Sequence, residues 1–206
     1  MITTEVADRV FRLPHAYVSC YLVVQDRRVL VVDAGLPAMW PLLAGALREH
    51  GLRPQDVAAL ALTHAHFDHT GFAARAQERL RVPVWAHQDE FFLAAHPYRY
   101  AHENPRALYP VRHPRALPIL AAMAGAGALR VPGVRGLRPF PATGALDVPG
   151  SPVVVPTPGH TFGHCALHLP DRDAVLSGDA LVTLDPYTGE RGPQIVAGAA
   201  TADSAQ

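Results

Sequence analysis

Short apolar runs bounded by turn-forming residues punctuate the chain. Tyr17 to Val24 and Arg28 to Asp33 flank Gln25-Asp26-Arg27 and predict the two strands of a hairpin. From Trp40 to His50 the apolar positions take helical spacing, with Leu43, Ala46 and Leu47 on one face and Gly51 as the stop. Val57 to Leu62 is continuously apolar, which predicts a buried strand, and Thr63 marks its exit into a loop. The spacing then predicts a helix over Thr70 to Arg81 and a short strand over Val82 to Ala86. Strands alternating with helices in this way place the chain in the mixed α/β class.

The texture changes between His87 and about Pro149, where Tyr98, Tyr100 and Tyr109, scattered Arg and His, many Pro and a small-residue stretch from Ala121 to Ala128 replace the regular pattern. One or two helices followed by an irregular connection are expected there, as a helical insertion over about 88–130. Regular structure returns with Pro152 to Val155, Cys165 to Leu169 and Ala174 to Leu176.

At 206 residues and 49% hydrophobic, the chain can bury one sizeable core, and a single domain over 1–206 is expected. Eighteen basic residues balance eighteen acidic ones with no basic block. That argues against a nucleic-acid or anionic-membrane partner and for a small-molecule substrate. Cys20 and Cys165 stand far apart with no C-x-x-C pair, so neither a disulfide framework nor a thiolate metal site is expected. No leader pattern and no apolar run of membrane length is present, and the expected location is the cytoplasm.

Against this ordinary background, His64-Ala65-His66-Phe67-Asp68-His69 places four potential metal ligands within six residues, a density that core packing does not require. Imidazole and carboxylate ligands suit zinc, manganese or iron, and the group can hold two ions side by side. If the extended geometry of the preceding strand persists, His64 and His66 point to one side and converge on one ion. Two later segments repeat the arrangement. Val153-Val154-Val155 leads into Pro158-Gly159-His160, and Ala174-Val175-Leu176 leads into Ser177-Gly178-Asp179. Each short strand delivers one potential ligand at its end, where glycines let the backbone turn sharply.

The ordered set resembles the metallo-β-lactamase-fold superfamily of metallohydrolases, whose H-x-H-x-D-H hallmark is matched by His64 to His69. Asp33-Ala34-Gly35 after a strand, Gly159-His160-Thr161 and Ser177-Gly178-Asp179 match as well, so the resemblance runs from about Tyr17 to Asp179. It implies an αββα sandwich with the site at one edge. It further implies that His64, His66 and His160 bind a first metal, that Asp68 and His69 bind a second, and that Asp179 bridges both. Zn2+ is the implied cofactor, as one or two ions, with Mn2+ or Fe2+ as alternatives. The implied chemistry is metal-assisted hydrolysis of a small ester, thioester, lactone or related substrate, with Asp68 as the candidate catalytic residue that orients the nucleophile or takes its proton.

One departure stands out. Two-metal members usually complete the second site with a further histidine downstream of the bridging aspartate, and no histidine follows Asp179 here. Thr201-Ala202-Asp203 reads as a helix start with a cap residue and no helix behind it, so a terminal helix and last strand are expected to be lacking. An iron dioxygenase that oxidises persulfides through one mononuclear iron, and a degenerate relative with little activity, are the alternative functions. Among the remaining residues, Asp33 is either a simple turn residue or a hydrogen-bond support for a metal-binding histidine. His164 is a candidate for the same support, His168 an ordinary strand residue, and Tyr98, Tyr100 and Tyr109 packing residues in preference to a substrate mouth.

Overall fold

The computed structural model describes residues 1–206. Strands β1 (Thr4–Ala7), β2 (Val10–His15), β3 (Val18–Gln25) and β4 (Arg28–Val32) form an antiparallel meander. The hairpin read from the sequence is β3–β4. Its turn residues Asp26 and Arg27 are both left-handed, at φ 46° and 60°, a conformation that suits two-residue hairpin loops because it matches strand twist. The sequence reading missed β1 and β2. Pro14 within β2 and its buried positions, Val10 and Leu13, do not make the strict alternation that announces a strand.

From β4 onward the large sheet is parallel, continuing through β5 (Val57–Ala61), β6 (Val84–Ala86) and the two-residue β7 (Arg138–Pro139). Helices carry the crossovers, as parallel neighbours require. Helix α1 (Trp40–Glu49) joins β4 to β5, while α2 (Phe67–Thr70) and α3 (Ala73–Leu80) join β5 to β6. Then α4 (Phe91–Ala95), α5 (Tyr109–Arg112) and α6 (Leu117–Gly125) lie between β6 and β7. The helix expected over Thr70 to Arg81 is α3, over Ala73–Leu80, and a break separates it from the short α2, which the pattern does not predict. The break has a cause: the amides of Gly71 and Phe72 leave the helical ladder to donate to Gly35 O and Ala34 O, at 2.8 and 3.1 Å.

A second, antiparallel sheet has the order β10 (Ala174–Leu176), β9 (Cys165–Leu169), β8 (Val153–Pro156), and a small ribbon follows from β11 (Val182–Leu184) and β12 (Arg191–Gln194). The two faces of the large sheet divide the core. Val29 and Val31 of β4 belong to a cluster that includes Leu43, Leu47 and Phe72 of the helical side, while Leu30 and Val32 face Cys165, Leu167, Leu169 and Leu176 of the second sheet. Full burial of each such Leu or Val contributes about 1.5–3 kcal/mol. The packing of sheet on sheet therefore fixes where the ends of β4, β5, β8 and β10 lie relative to one another. The fold is α/β, with helices over one face of two packed sheets. Val155 and Val175 on the small sheet are 38% and 58% exposed, and no α-helix follows β7 in the chain. No helix is long and apolar enough to cross a membrane.

Candidate metal centre

The strand ends converge. Asp33, just past β4, adopts a left-handed φ of 61°, and its Oδ1 accepts from Thr63 N at 2.8 Å while the Thr63 hydroxyl donates to Oδ2 at 2.9 Å. This ties the exit of β4 to the exit of β5. From Thr63 the chain passes His64 and Ala65 to His66, the extended residue that opens α2, and α2 carries Asp68 and His69. His160 comes from the loop after β8, and Asp179 from the turn after β10. Gly178 is needed in that turn: its φ is +52°, and a Cβ would lie 2.7 Å from both His164 Nε2 and Thr63 Oγ1.

Two groups of potential ligand atoms result, His64–His66–His160 and His64–His69–Asp179, each with its atoms within 4.8 Å of one another. His66 Nδ1 faces His160 Nε2 at 2.9 Å. Asp179 stands between the groups, with Oδ1 3.3 Å from His69 Nε2 and Oδ2 3.5 Å from His160 Nε2. The four imidazoles are buried. His64 Nε2 and His66 Nε2 have no hydrogen-bond partner, and a buried unpaired polar atom costs about 1–3 kcal/mol. Orphaned nitrogens among converging imidazoles and a carboxylate fit a divalent cation of the zinc, manganese or iron type.

The surrounding bonds set the protons. His69 Nδ1 lies 2.9 Å from Asp33 Oδ2, which makes Nδ1 a donor and turns Nε2 toward Asp179. His164 Nε2 accepts from Asp179 N at 3.1 Å, so its Nδ1 carries the proton and donates to Thr157 Oγ1 at 2.7 Å. Thr201 Oγ1 donates to Val196 O at 2.6 Å and lies 3.3 Å from His160 Nδ1, leaving His160 Nε2 free to face the centre.

Burial lowers the pKa of His64 and His66 well below the ordinary histidine value, and takes His160 to about 4 and His164 to about 3. All are neutral near pH 7, the form that binds metal. For His69, burial pulls the same way, but the carboxylates of Asp179 and Asp33 outweigh it and hold the ring well above its ordinary pKa. Burial would raise Asp179, yet His69 keeps it below the usual carboxylate range. Asp68 is pushed up to about 6 by burial, against the pull of His69.

The structure therefore brings together His64, His66, His69, His160 and Asp179. Asp68 belongs to neither group of three; it lines, with His69 and Asp179, a cavity of about 430 Å³, and with His66, Asp179 and Tyr187 a pocket of about 20 Å³. Asp33 bonds His69, the geometry of the support reading, whereas His164 bonds the Asp179 amide and the Thr157 hydroxyl and no other histidine. His168 is half-buried in β9 opposite Val153 and Val175. Tyr100 packs its ring against His66, with centroids 4.2 Å apart, and its hydroxyl meets that of Tyr187 at 2.9 Å. The sequence reading missed Thr63, Glu90, Tyr187 and the role of Thr201. Residues 201–206, whose pattern suggests a helix start, form a turn instead, with Ala202 N and Asp203 N donating to His160 O and Gly159 O.

A family model of the metallo-beta-lactamase superfamily matches residues 14–205. The chain belongs to this superfamily. It is 27% identical over 158 residues to the probable metallo-hydrolase YflN of Bacillus subtilis, covering 76% of this chain and 56% of that protein. To the probable metallo-hydrolase YqgX of the same organism it is 28% identical over 170 residues, covering 79% and 65%. The chain thus spans between about half and two thirds of the length of these superfamily relatives. Among solved structures it is similar to the class B3 di-zinc metallo-beta-lactamase LRA-12 from an Alaskan soil metagenome, with TM-score 0.61 and 19% identity over 81% of this chain and 56% of that one. That likeness establishes the superfamily fold and fits the pair of packed sheets described above.

Proposed function

We propose that the centre holds divalent metal and supports hydrolysis of a small ester, thioester, lactone or related substrate. The observation that carries this reading is the buried convergence of His64, His66 and His160, two of them with an unpaired ring nitrogen, beside a carboxylate that reaches both ligand groups. His64, His66 and His160 would hold the first ion and His69 a second, with Asp179 between them, while Asp68, in neither ligand group, would be left free to move a proton. Zn2+ is the first assignment on ligand chemistry, with Mn2+ and Fe2+ as alternatives. Such an ion supplies Lewis acidity and a water acidified toward neutral pH.

The protein's own groups do the rest. Asp33 and Thr201 present the Nε2 atoms of His69 and His160 to the centre by binding the opposite ring nitrogens. Asp68, at a pKa of about 6, is suited to take a proton at its carboxylate from the attacking water and return it to the leaving group. The cavity of about 430 Å³ beside Asp68, His69 and Asp179 is the proposed substrate entry, and Arg12 is its one arginine. A small-molecule substrate and a cytoplasmic location complete the reading.

Metal analysis of the purified protein, followed by assay on chromogenic esters, thioesters and lactones, tests the proposal. Zinc or manganese with hydrolysis supports it. About one iron per chain with oxygen uptake on a persulfide would replace it with the dioxygenase reading, and metal-loaded protein inert toward all of these would favour the degenerate one.

A further inference from the structure

Glu90 is a carboxylate in an unusual place. It ends the turn Gln88–Glu90 after β6, is only 1% exposed, and forms no salt bridge. A carboxylate taken out of water without a cationic partner is unfavourable unless hydrogen bonds compensate it. Here two backbone amides do so: Ala65 N donates to Oε2 at 2.7 Å and Gly163 N donates to Oε1 at 3.0 Å. Ala65 is the residue between His64 and His66, and Gly163 lies between His160 and His164. One side chain therefore holds both loops that supply the three histidines of the first group.

The chemistry of the side chain explains why it is Glu. The two amides come from different loops and each takes its own oxygen, so both positions must be acceptors. A glutamine offers one oxygen and one NH2, and the latter would confront an N–H donor. The approach is also close. A Cβ on residue 163 would lie 2.8 Å from Glu90 Oε1 and 2.9 Å from its Cγ, so glycine at this position is what admits the carboxylate. Burial raises the Glu90 pKa, and the neighbouring Thr161 hydroxyl and the two amide bonds oppose that rise.

We propose that Glu90 is a positioning residue of the metal centre, its carboxylate fixing the separation of the His64–His66 and His160 loops so that the three imidazoles converge on one ion. The inference rests on the metal reading above, but it adds a residue that makes no contact with the ion. Loss of the brace leaves the ligands present and misplaced, so the damage appears in metal affinity and ligand field before it appears in the fold. Partners that orient metal ligands typically contribute about 10–100-fold to affinity.

The test is Co2+ binding to the full chain, followed by competition with a chromogenic chelator and by the visible absorption of the bound ion, in wild type, Glu90→Gln, Gly163→Ala and, as an equally buried control outside the site, Leu169→Ala. Glu90→Gln and Gly163→Ala are expected to weaken Co2+ binding by about 10–100-fold and to shift the absorption bands, while far-UV circular dichroism stays as in wild type. Leu169→Ala should lower stability without shifting the bands. Should Glu90→Gln not accumulate as folded protein, Gly163→Ala decides by the same comparison. Wild-type affinity and bands in the folded variants would overturn the brace and leave the metal centre standing. Absence of Co2+ binding by wild type would remove both together.

Discussion

Asp33 Oδ2 lies 2.9 Å from His69 Nδ1, and the opposite nitrogen of that ring faces Asp179 at 3.3 Å. A carboxylate that binds one ring nitrogen fixes the other as the ligand, and it ties the second metal group to the end of β4. In Asp33→Asn the left-handed backbone is tolerated, since Asn also adopts positive φ, but the charge is lost. The expected outcome is about 10–100-fold weaker binding of an ion held by His69, with the His64–His66–His160 group less affected. Stepwise Co2+ titration, read by absorption, separates the two.

Gly178→Ala places a methyl group where 2.7 Å separates a Cβ from His164 Nε2 and Thr63 Oγ1, at a positive φ. The backbone conformation alone costs roughly 1–3 kcal/mol for a side-chain-bearing residue. Chemical denaturation should show at least that loss. Because the displaced His164 accepts from Asp179 N, metal affinity should fall as well.

Metal removal should lower thermal stability. An ion present at about 100 times its Kd stabilises by roughly 2.7 kcal/mol, which for a chain of this size corresponds to roughly 5–10 °C in Tm. Differential scanning calorimetry with and without a chelator measures it, and an unchanged Tm would contradict occupancy of the buried cluster.

The metal-free protein should lose stability as pH falls from about 6.5 toward 4. Four imidazoles, His64, His66, His160 and His164, have folded pKa values depressed by burial. Between their folded and unfolded values the unfolded chain binds more protons, so stability rises with pH in that window. Asp68 and Glu90, both raised by burial, act in the opposite sense but are fewer. Four groups against two leave about two protons of difference, so the net slope is expected to be on the order of 3 kcal/mol per pH unit. Urea melts of chelator-treated protein across this range give the slope, and a flat or inverted profile would contradict neutral buried histidines.

Much of the site was legible because its ligands sit in short sequence words at strand ends. His64 to His69, Gly159-His160 and Ser177-Gly178-Asp179 follow apolar runs, and strand alternation alone anticipates that His64 and His66 share a side. Glu90 was not legible: its partners are amides 25 and 73 residues away, and an amide leaves no mark on a sequence pattern. Thr201 reaches His160 across 41 residues in the same way. In the fold, β2 escaped notice because Pro14 interrupts its pattern, and the helix expected from Thr70 begins only at Ala73 because Gly71 and Phe72 bond to the loop after β4. Local periodicity carries burial, whereas these features depend on pairing between distant segments.

The most direct test of the central claim is X-ray diffraction from zinc-soaked crystals, with anomalous scattering at the zinc edge. The account predicts an anomalous peak with ring nitrogens of His64, His66 and His160 at about 2.0–2.1 Å. No peak there, or zinc bound only at surface residues while the three imidazoles keep their present contacts, would contradict it.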